Sequence, residues 1–286
     1  MTSLALALLL SLAVAQDDTQ IETKAVSGDV HVLFGRGGNI GVCVGDDGVF
    51  MIDDQFAPLS EKILAAIAEL SEEPVRFLVN THWHGDHTGG NENIGKRGTT
   101  IVAHENVRRR LTNDPAIAGR KQNSPKEALP VITFDETVRF HWNGEVIDVF
   151  HVPNAHTDGD AIIHFTKADV FHMGDTFFNG LYPFIDPDSG GVIDAQAVVI
   201  EKASPRSKVI PGHGPLATVA DLKKTHRMLI AVREQVLAMI EEGKTKEEVV
   251  AARPSREFDG EYGGGFLNPD KFIGLVYDGM VKAGAR

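Results

Sequence analysis

Residues 80–90 read Asn80-Thr81-His82-Trp83-His84-Gly85-Asp86-His87-Thr88-Gly89-Gly90, so three imidazoles and a carboxylate fall within six positions. Neutral imidazole and carboxylate are the ligands that a borderline divalent ion such as zinc takes. The stretch follows Val75-Arg76-Phe77-Leu78-Val79, an apolar run that reads as a buried strand. On a loop leaving a strand, His82 and His84 can point one way while Asp86 and His87 point another. Such a loop can feed one metal or two adjacent ones. Chance clustering explains it poorly, because only 12 of 286 residues are His and further ligand types recur at His156, Asp175 and His213. Each of these lies just beyond its own predicted strand, where loops at one sheet edge converge. Seven positions exceed the needs of one catalytic zinc, which takes about three protein ligands plus water. Two metals about 3.5–4 Å apart, sharing a carboxylate and a hydroxide, use all seven.

The elements that must position these groups can be read from period and punctuation. Short strands are expected at Val30–Phe34, Ile40–Val44 and Val49–Asp53, with Gly45-Asp46-Asp47-Gly48 as a tight hairpin between the last two. The third ends in Asp53-Asp54, and Asp54 is a candidate acceptor that orients the metal loop. Leu59, Ile63, Ile67 and Leu70 recur at helical spacing and predict a helix over Pro58–Leu70. After the metal loop come a strand at Thr99–Ala103 and a helix at Glu105–Leu111, and Thr112–Leu129 reads as a surface excursion. Strands resume from Val131, with Asn143-Gly144 as a hairpin turn before Val146–Val152. Ala161–Thr166 and Val170–Gly174 form a second hairpin that ends in Asp175. Then follow a helix from about Asp194 to Ala203, a strand at Lys208–Ile210, and a helical C-terminal quarter. There the apolar stripe stops at Gly243, Thr245 and Glu248 look like a capping box, and Asn268 opens a last helix. Strands with an early helix and then strands with later helices suit an α+β sandwich of two sheets with helices outside. No linker divides residues 16–286, and no repeat is visible.

Composition bounds the function. The chain is 42% hydrophobic and 24% charged, with a formal net charge of −12, which argues against a nucleic-acid partner. Arg108-Arg109-Arg110 reads as a solvated helix face. The single cysteine, Cys43, excludes an intrachain disulfide and any multi-thiolate zinc site, and its alternating apolar surroundings predict a buried inert thiol. Leu4–Val14 is an apolar run too short to span a membrane, and it ends in Ala13-Val14-Ala15 before Gln16-Asp17-Asp18. That pattern predicts a signal peptide over residues 1–15, a periplasmic or secreted protein, and no integral membrane segment after cleavage. His31, His141, His151, His164 and His172 fall inside predicted strands and His226 on a helix, where structural roles are expected. His104, at a strand end, lies nearer the site.

His82-Trp83-His84-Gly85-Asp86-His87, His156 in Ala-His-Thr, Asp175 in Met-Gly-Asp and His213 in Gly-His-Gly together resemble the metallo-β-lactamase superfamily, over about Val26–Gly214. The resemblance implies a four-layer αβ/βα sandwich and two Zn2+, with iron or manganese left open. It further implies one metal on His82, His84 and His156, the other on Asp86, His87 and His213, and Asp175 bridging them. The expected chemistry is attack of a bridging hydroxide on a carbonyl or phosphoryl centre, with Asp86 orienting the nucleophile or shuttling its proton.

Departures from the subfamilies narrow the substrate. Asp175 stands where one lactamase group has a cysteine ligand, and Phe178 stands where that group has a drug-gripping lysine. Both point away from efficient β-lactam hydrolysis. The seven-ligand set resembles glyoxalase II and other thioesterase- or lactonase-like members, while Asp158 and Asp160 around His156 move the chain toward an exported lactamase-like branch. The stretch Phe177–Asp186 resembles a loop flanking the substrate, in which Asn179 and Tyr182 are candidate oxyanion donors. The expectation is an exported zinc hydrolase acting on a small ester, lactone, thioester or β-lactam. The alternatives are a mononuclear-iron oxidoreductase like the persulfide dioxygenases, and a non-catalytic binding protein.

Overall fold

A computed structural model of the chain describes residues 18–113, 123–153, 155–185 and 191–284. The predicted signal peptide, Asn154, Asp186 and the middle of the Thr112–Leu129 excursion lie outside the described residues. Seven strands make the first sheet: β1 (Glu22–Ser27), β2 (Val30–Phe34), β3 (Ile40–Cys43), β4 (Val49–Ile52), β5 (Val75–Val79), β6 (Thr100–His104) and β7 (Ile132–Phe134). They lie side by side in chain order. β1 to β4 run antiparallel, whereas β4 to β7 run parallel. The parallel half needs crossovers, which α1 (Ser60–Ala68) and the short α2 (Gly85–Thr88), α3 (Asn91–Gly95) and α4 (Glu105–Asn113) help to supply.

The second sheet contains β8 (Thr137–Trp142), β9 (Glu145–His151), β10 (Ala161–Phe165), β11 (Val170–His172), β12 (Lys208–Ile210) and β13 (Ala217–Thr218), in spatial order β13-β12-β11-β10-β9-β8. Asn143 and Gly144 both have positive φ, at 52° and 70°, which is what a two-residue type I′ hairpin between β8 and β9 requires. The remaining helices are α5 (Ile193–Lys202), α6 (Val219–Glu241), α7 (Lys246–Ala252), α8 (Asp259–Tyr262) and α9 (Pro269–Lys282). The expected capping box is present at Thr245 and Glu248, and Thr218 with Asp221 forms another at the start of α6. β1 and β13 have no counterpart in the expected strands.

Alternation along the strands builds the layers. Phe50, Ile52, Val79 and Val102 point to the middle, where they meet Ile147, Val149, Ile163 and Phe165 of the second sheet. Phe50 packs edge-on against Phe140 at 5.0 Å between centroids, and burying a side chain of this kind stabilises by about 1.5–3 kcal/mol. Met51, Leu78 and Ile101 face outward and pack on Ile63 and Ile67 of α1. Ile162, Phe171 and Val209 face the other way, under α5 and α6. The result is the four-layer αβ/βα sandwich. Cys43 is buried and free, and burial pushes its thiol up to about 12, as an inert core residue requires. β5 is less enclosed than expected: only Leu78 and Val79 are buried, and Arg76 is exposed. The arginine triplet is also less solvated than expected. Arg108 donates to the Pro130 carbonyl, and Arg110 holds Asp158 through both Nε and an Nη, at 3.2 and 2.9 Å.

Candidate metal centre

All seven predicted ligands converge where strands of both sheets end. His82, His84, Asp86 and His87 leave β5, while His156, Asp175 and His213 follow β9, β11 and β12. They form two groups, His82/His84/His156/Asp175 and Asp86/His87/His213, within each of which the donor atoms lie within 4.8 Å of one another. In the first, Nε2 of His82 and Nε2 of His156 approach Nδ1 of His84 at 3.0 and 2.9 Å. In the second, His213 Nε2 lies 3.4 Å from His87 Nε2 and 3.2 Å from Asp86 Oδ2. Asp175 turns Oδ2 to the first group, 3.4 Å from His156 Nε2, and Oδ1 to the second, 3.1 Å from His87 Nε2. The base of the site is sealed, with His82, His87 and His156 fully buried. Its open edge is His84, Asp86 and His213.

On three of the five rings a partner on the far side decides which nitrogen faces inward. His156 Nδ1 donates to the Phe184 carbonyl at 2.8 Å, which leaves its Nε2 lone pair for the centre. His87 Nδ1 donates to Asp53 Oδ2 at 2.8 Å, a carboxylate–histidine arrangement that fixes the ring and raises the basicity of Nε2. The Thr81 hydroxyl donates to the same Asp53 oxygen at 2.7 Å, so its own oxygen is left to accept from His82 Nδ1 at 3.0 Å. Asp53 therefore orients one imidazole in each group. Asp54, the expected acceptor on the metal loop, acts at its other end. It accepts from the Gly90 backbone N–H at 2.8 Å and so fastens the far end of the loop. Asp53 sits at φ 58°, in the left-handed region, so regular strand alternation ends at this pair.

Burial and charge then separate the two groups. Burial lowers His82 well below the usual imidazole range and brings His156 down to about 3, so both are neutral. Burial opposes a proton on His87 too, but Asp175, Asp86 and Asp53 overcome it and raise the group well above its ordinary value. His213 rises to about 9 against burial, through Asp175 and Asp86. Burial works against the Asp86 carboxylate, yet the His87 charge and the His213 hydrogen bond hold it at about 2. Asp175 is likewise held well below the carboxylate range, against burial, by His87 and His213.

Three braces that sequence reasoning missed hold the ligand loops. Asn80 and Asn91 exchange side-chain amide hydrogen bonds at 3.0 and 2.9 Å under the first loop. Asp160 accepts from the Thr157 N–H and hydroxyl beside His156. Asn39 Nδ2 donates to the carbonyls of Pro211 and Gly214, both at 2.9 Å, and so grips the turn that carries His213. Two glycines are obligatory by space. A Cβ at Gly38 would collide with the His87 ring, and one at Gly212 with Asp175 Oδ1.

The two candidate oxyanion donors are placed elsewhere. The Tyr182 hydroxyl donates to Asp259 Oδ1 at 2.9 Å, and its ring stacks on Phe272 at 4.2 Å, inside the C-terminal helical core. Asn179 lies nearer, but its side-chain amide donates to the Pro215 carbonyl at 3.0 Å and steadies the His213 turn. No other histidine belongs to either group among the described residues.

The donor set fits divalent metal. Three rings, His82, His87 and His156, are fixed with Nε2 inward, and Asp175 Oδ1, although close to two imidazoles, forms no hydrogen bond among the described residues. The profile of the metallo-β-lactamase superfamily matches residues 33–213, which include every one of these ligands. This chain belongs to the metallo-β-lactamase superfamily. Within and around it, the chain is similar to several characterised proteins. It is 27% identical over 146 residues, half of its length, to the alpha subunit of a 2,4-dinitroanisole O-demethylase from Nocardioides sp. (strain JS1661). It is 32% identical over 122 residues, 43% of its length, to a hydroxyacylglutathione hydrolase from Synechococcus sp. (strain JA-2-3B'a(2-13)). The chain spans only 42% of each of these relatives. The stereoselective inverting sec-alkylsulfatase Pisa1 from Pseudomonas sp. shares the fold, with a TM-score of 0.69 at 17% identity, over 90% of this chain and 50% of that one. No helix among the described residues is long and apolar enough to cross a membrane.

Proposed function

We propose that this protein is an exported dinuclear zinc hydrolase acting on a small ester, lactone, thioester or lactam. The observation that carries the reading is Asp175, which offers one carboxylate oxygen to each ligand group. His82, His84 and His156 would hold one ion, and Asp86, His87 and His213 the other. A bound zinc pair supplies a hydroxide nucleophile at neutral pH and polarises the scissile carbonyl. Asp86, ionised and partly exposed at the open edge, orients that nucleophile or shuttles its proton on to the leaving atom. The sealed base of His82, His87 and His156 keeps the ligands fixed, so substrate approaches along His84, Asp86 and His213, and the leaving atom departs on the Asp86–His213 side. Phe178 fills its place with a buried ring stacked on His213 at 5.0 Å, which gives a substrate carboxylate no cationic anchor there and supports esters over β-lactams. The net charge of −12 supports a small-molecule substrate rather than nucleic acid. Export rests on Leu4–Val14 and Ala13-Val14-Ala15, and a mature N-terminus at Gln16 is the result expected from mass spectrometry.

The test is metal analysis joined to a hydrolysis panel of nitrocefin, lactones, thioesters, carboxylic esters and phosphodiesters on zinc-loaded protein. Two zinc per chain, with turnover of a carbonyl substrate well above that of nitrocefin, is expected. One iron per chain with oxygen uptake on persulfide would overturn the reading, and so would ligand binding with no turnover on the whole panel.

A further inference from the structure

Phe266 is a large apolar side chain left 59% exposed, and unlike Val131 or Val281 it stands next to the centre. A lone exposed aromatic is ordinary on a protein surface. This one adjoins a stacked pair of rings and is tilted by 48° and 59° against them. Its centroid is 6.1 Å from Phe178 and 6.2 Å from the His213 ring, and Phe178 lies nearly parallel to His213 at 20°. It follows Gly263-Gly264-Gly265, between α8 and α9, where a Cβ at Gly265 would press on Leu181 while Gly264 has open space around it. The arm thus brings an apolar ring from the helical C-terminal part to the rim of the Asp86/His87/His213 group. A ligand group that covers this ring removes apolar area from both partners at once.

We propose that Phe266 is a specificity-determining residue that receives an apolar alcohol or thiol portion of the substrate. The substrate class is then an ester or thioester with an aliphatic leaving group of several carbons. The assignment to the leaving-group side rests on the hydrolase reading above, because Phe266 adjoins His213 and not His84 or His156. The opposite rim has its own ring, Phe184, 6.0 Å from both His84 and His156.

The experiment compares two ester series on zinc-loaded wild type and Phe266→Ala. The first is ethyl, butyl, hexyl and octyl acetate, whose alcohols are of nearly equal acidity; the second is methyl acetate through methyl octanoate. In wild type, kcat/KM should rise about two- to fourfold per methylene along the alkyl acetates up to hexyl, the gain of burying each added group. F266A should cut that rise by more than half and leave the slope of the methyl alkanoate series as in wild type. An unchanged alkyl acetate slope in F266A overturns the proposal, as does a loss confined to the methyl alkanoates. A readout independent of turnover comes from Phe266→Trp, whose emission should shift to the blue with 1-hexanol and not with ethanol at equal concentration. Absence of that shift counts against the arm. A shift in a protein that turns over nothing on the hydrolysis panel sinks the hydrolase reading while the apolar arm stands.

Discussion

His82 and His87 are equally buried, at no exposure, and their rings lie 4.2 Å apart, yet one is held neutral and the other protonated. Burial acts the same way on both, so the difference lies in the carboxylates. His82, His84 and His156 share one, Asp175. His87 and His213 face two, Asp86 and Asp175, and His87 has Asp53 on its far nitrogen besides. The first half of the centre is thus a set of lone pairs ready for a metal. The second half holds protons that a metal must displace.

The largest break in this comparison should come from Asp175, the one group both halves use. Asp175→Asn is expected to lower kcat on the order of 10³-fold, as expected for losing several kcal/mol of charge stabilisation, and to drop the zinc content below two per chain by metal analysis. Next comes pH. Since His213 is raised to about 9 and His87 is raised too, zinc affinity of the second half should fall as pH drops below 9, by about tenfold per unit for each proton displaced. His156, at about 3, is already neutral in that range, so the first half should change little between pH 6 and 9. Chelator competition across pH separates the two, and parallel slopes would erase the distinction. Asp53→Asn should weaken zinc binding about 10–100-fold, more at the second half, which it touches directly, than at the first, which it reaches through Thr81. Asn39→Ala should affect only the second half, since it frees the Pro211–Gly214 turn. One of two zincs should then leave early on dialysis, with a stability loss of about 1–3 kcal/mol by denaturant titration. Tyr182→Phe should be the smallest change, about 1 kcal/mol of stability from its hydrogen bond to Asp259, with kcat unaltered. A fall in kcat would return Tyr182 to the site.

The ligands were legible because His82 to His87 are contiguous and His156, Asp175 and His213 each follow an apolar strand. The hairpins at Gly45–Gly48 and Asn143–Gly144 were legible for a similar reason, since their turn chemistry is local. What escaped was set by conformation or by distant partners. Asp53 holds Thr81 and the His87 ring while Asp54 holds Gly90 at the other end of the loop, and nothing in the letters Asp-Asp announces that division. Tyr182 sits in an aromatic run, Phe177 to Phe184, whose members divide between the centre and the helical core. The positions of α8 and α9, which bring Asp259, Tyr262 and Phe272 against Tyr182, decide its side. Asn39 lies 172 residues from the carbonyl of Pro211 that it grips, so no window could pair them. β13 is two residues long and has too little sequence to signal itself.

Each group of donors draws on both sheets: His82 and His84 with His156 and Asp175, and Asp86 and His87 with His213. With ions in place the centre is a rivet through the sandwich, closing loops far apart in the chain, and it can form only when both sheets are assembled. Metal that binds the folded chain alone adds stability by mass action, about 2.7 kcal/mol at a free concentration one hundred times the Kd. The melting temperature of this protein would then work as a gauge of the free metal around it.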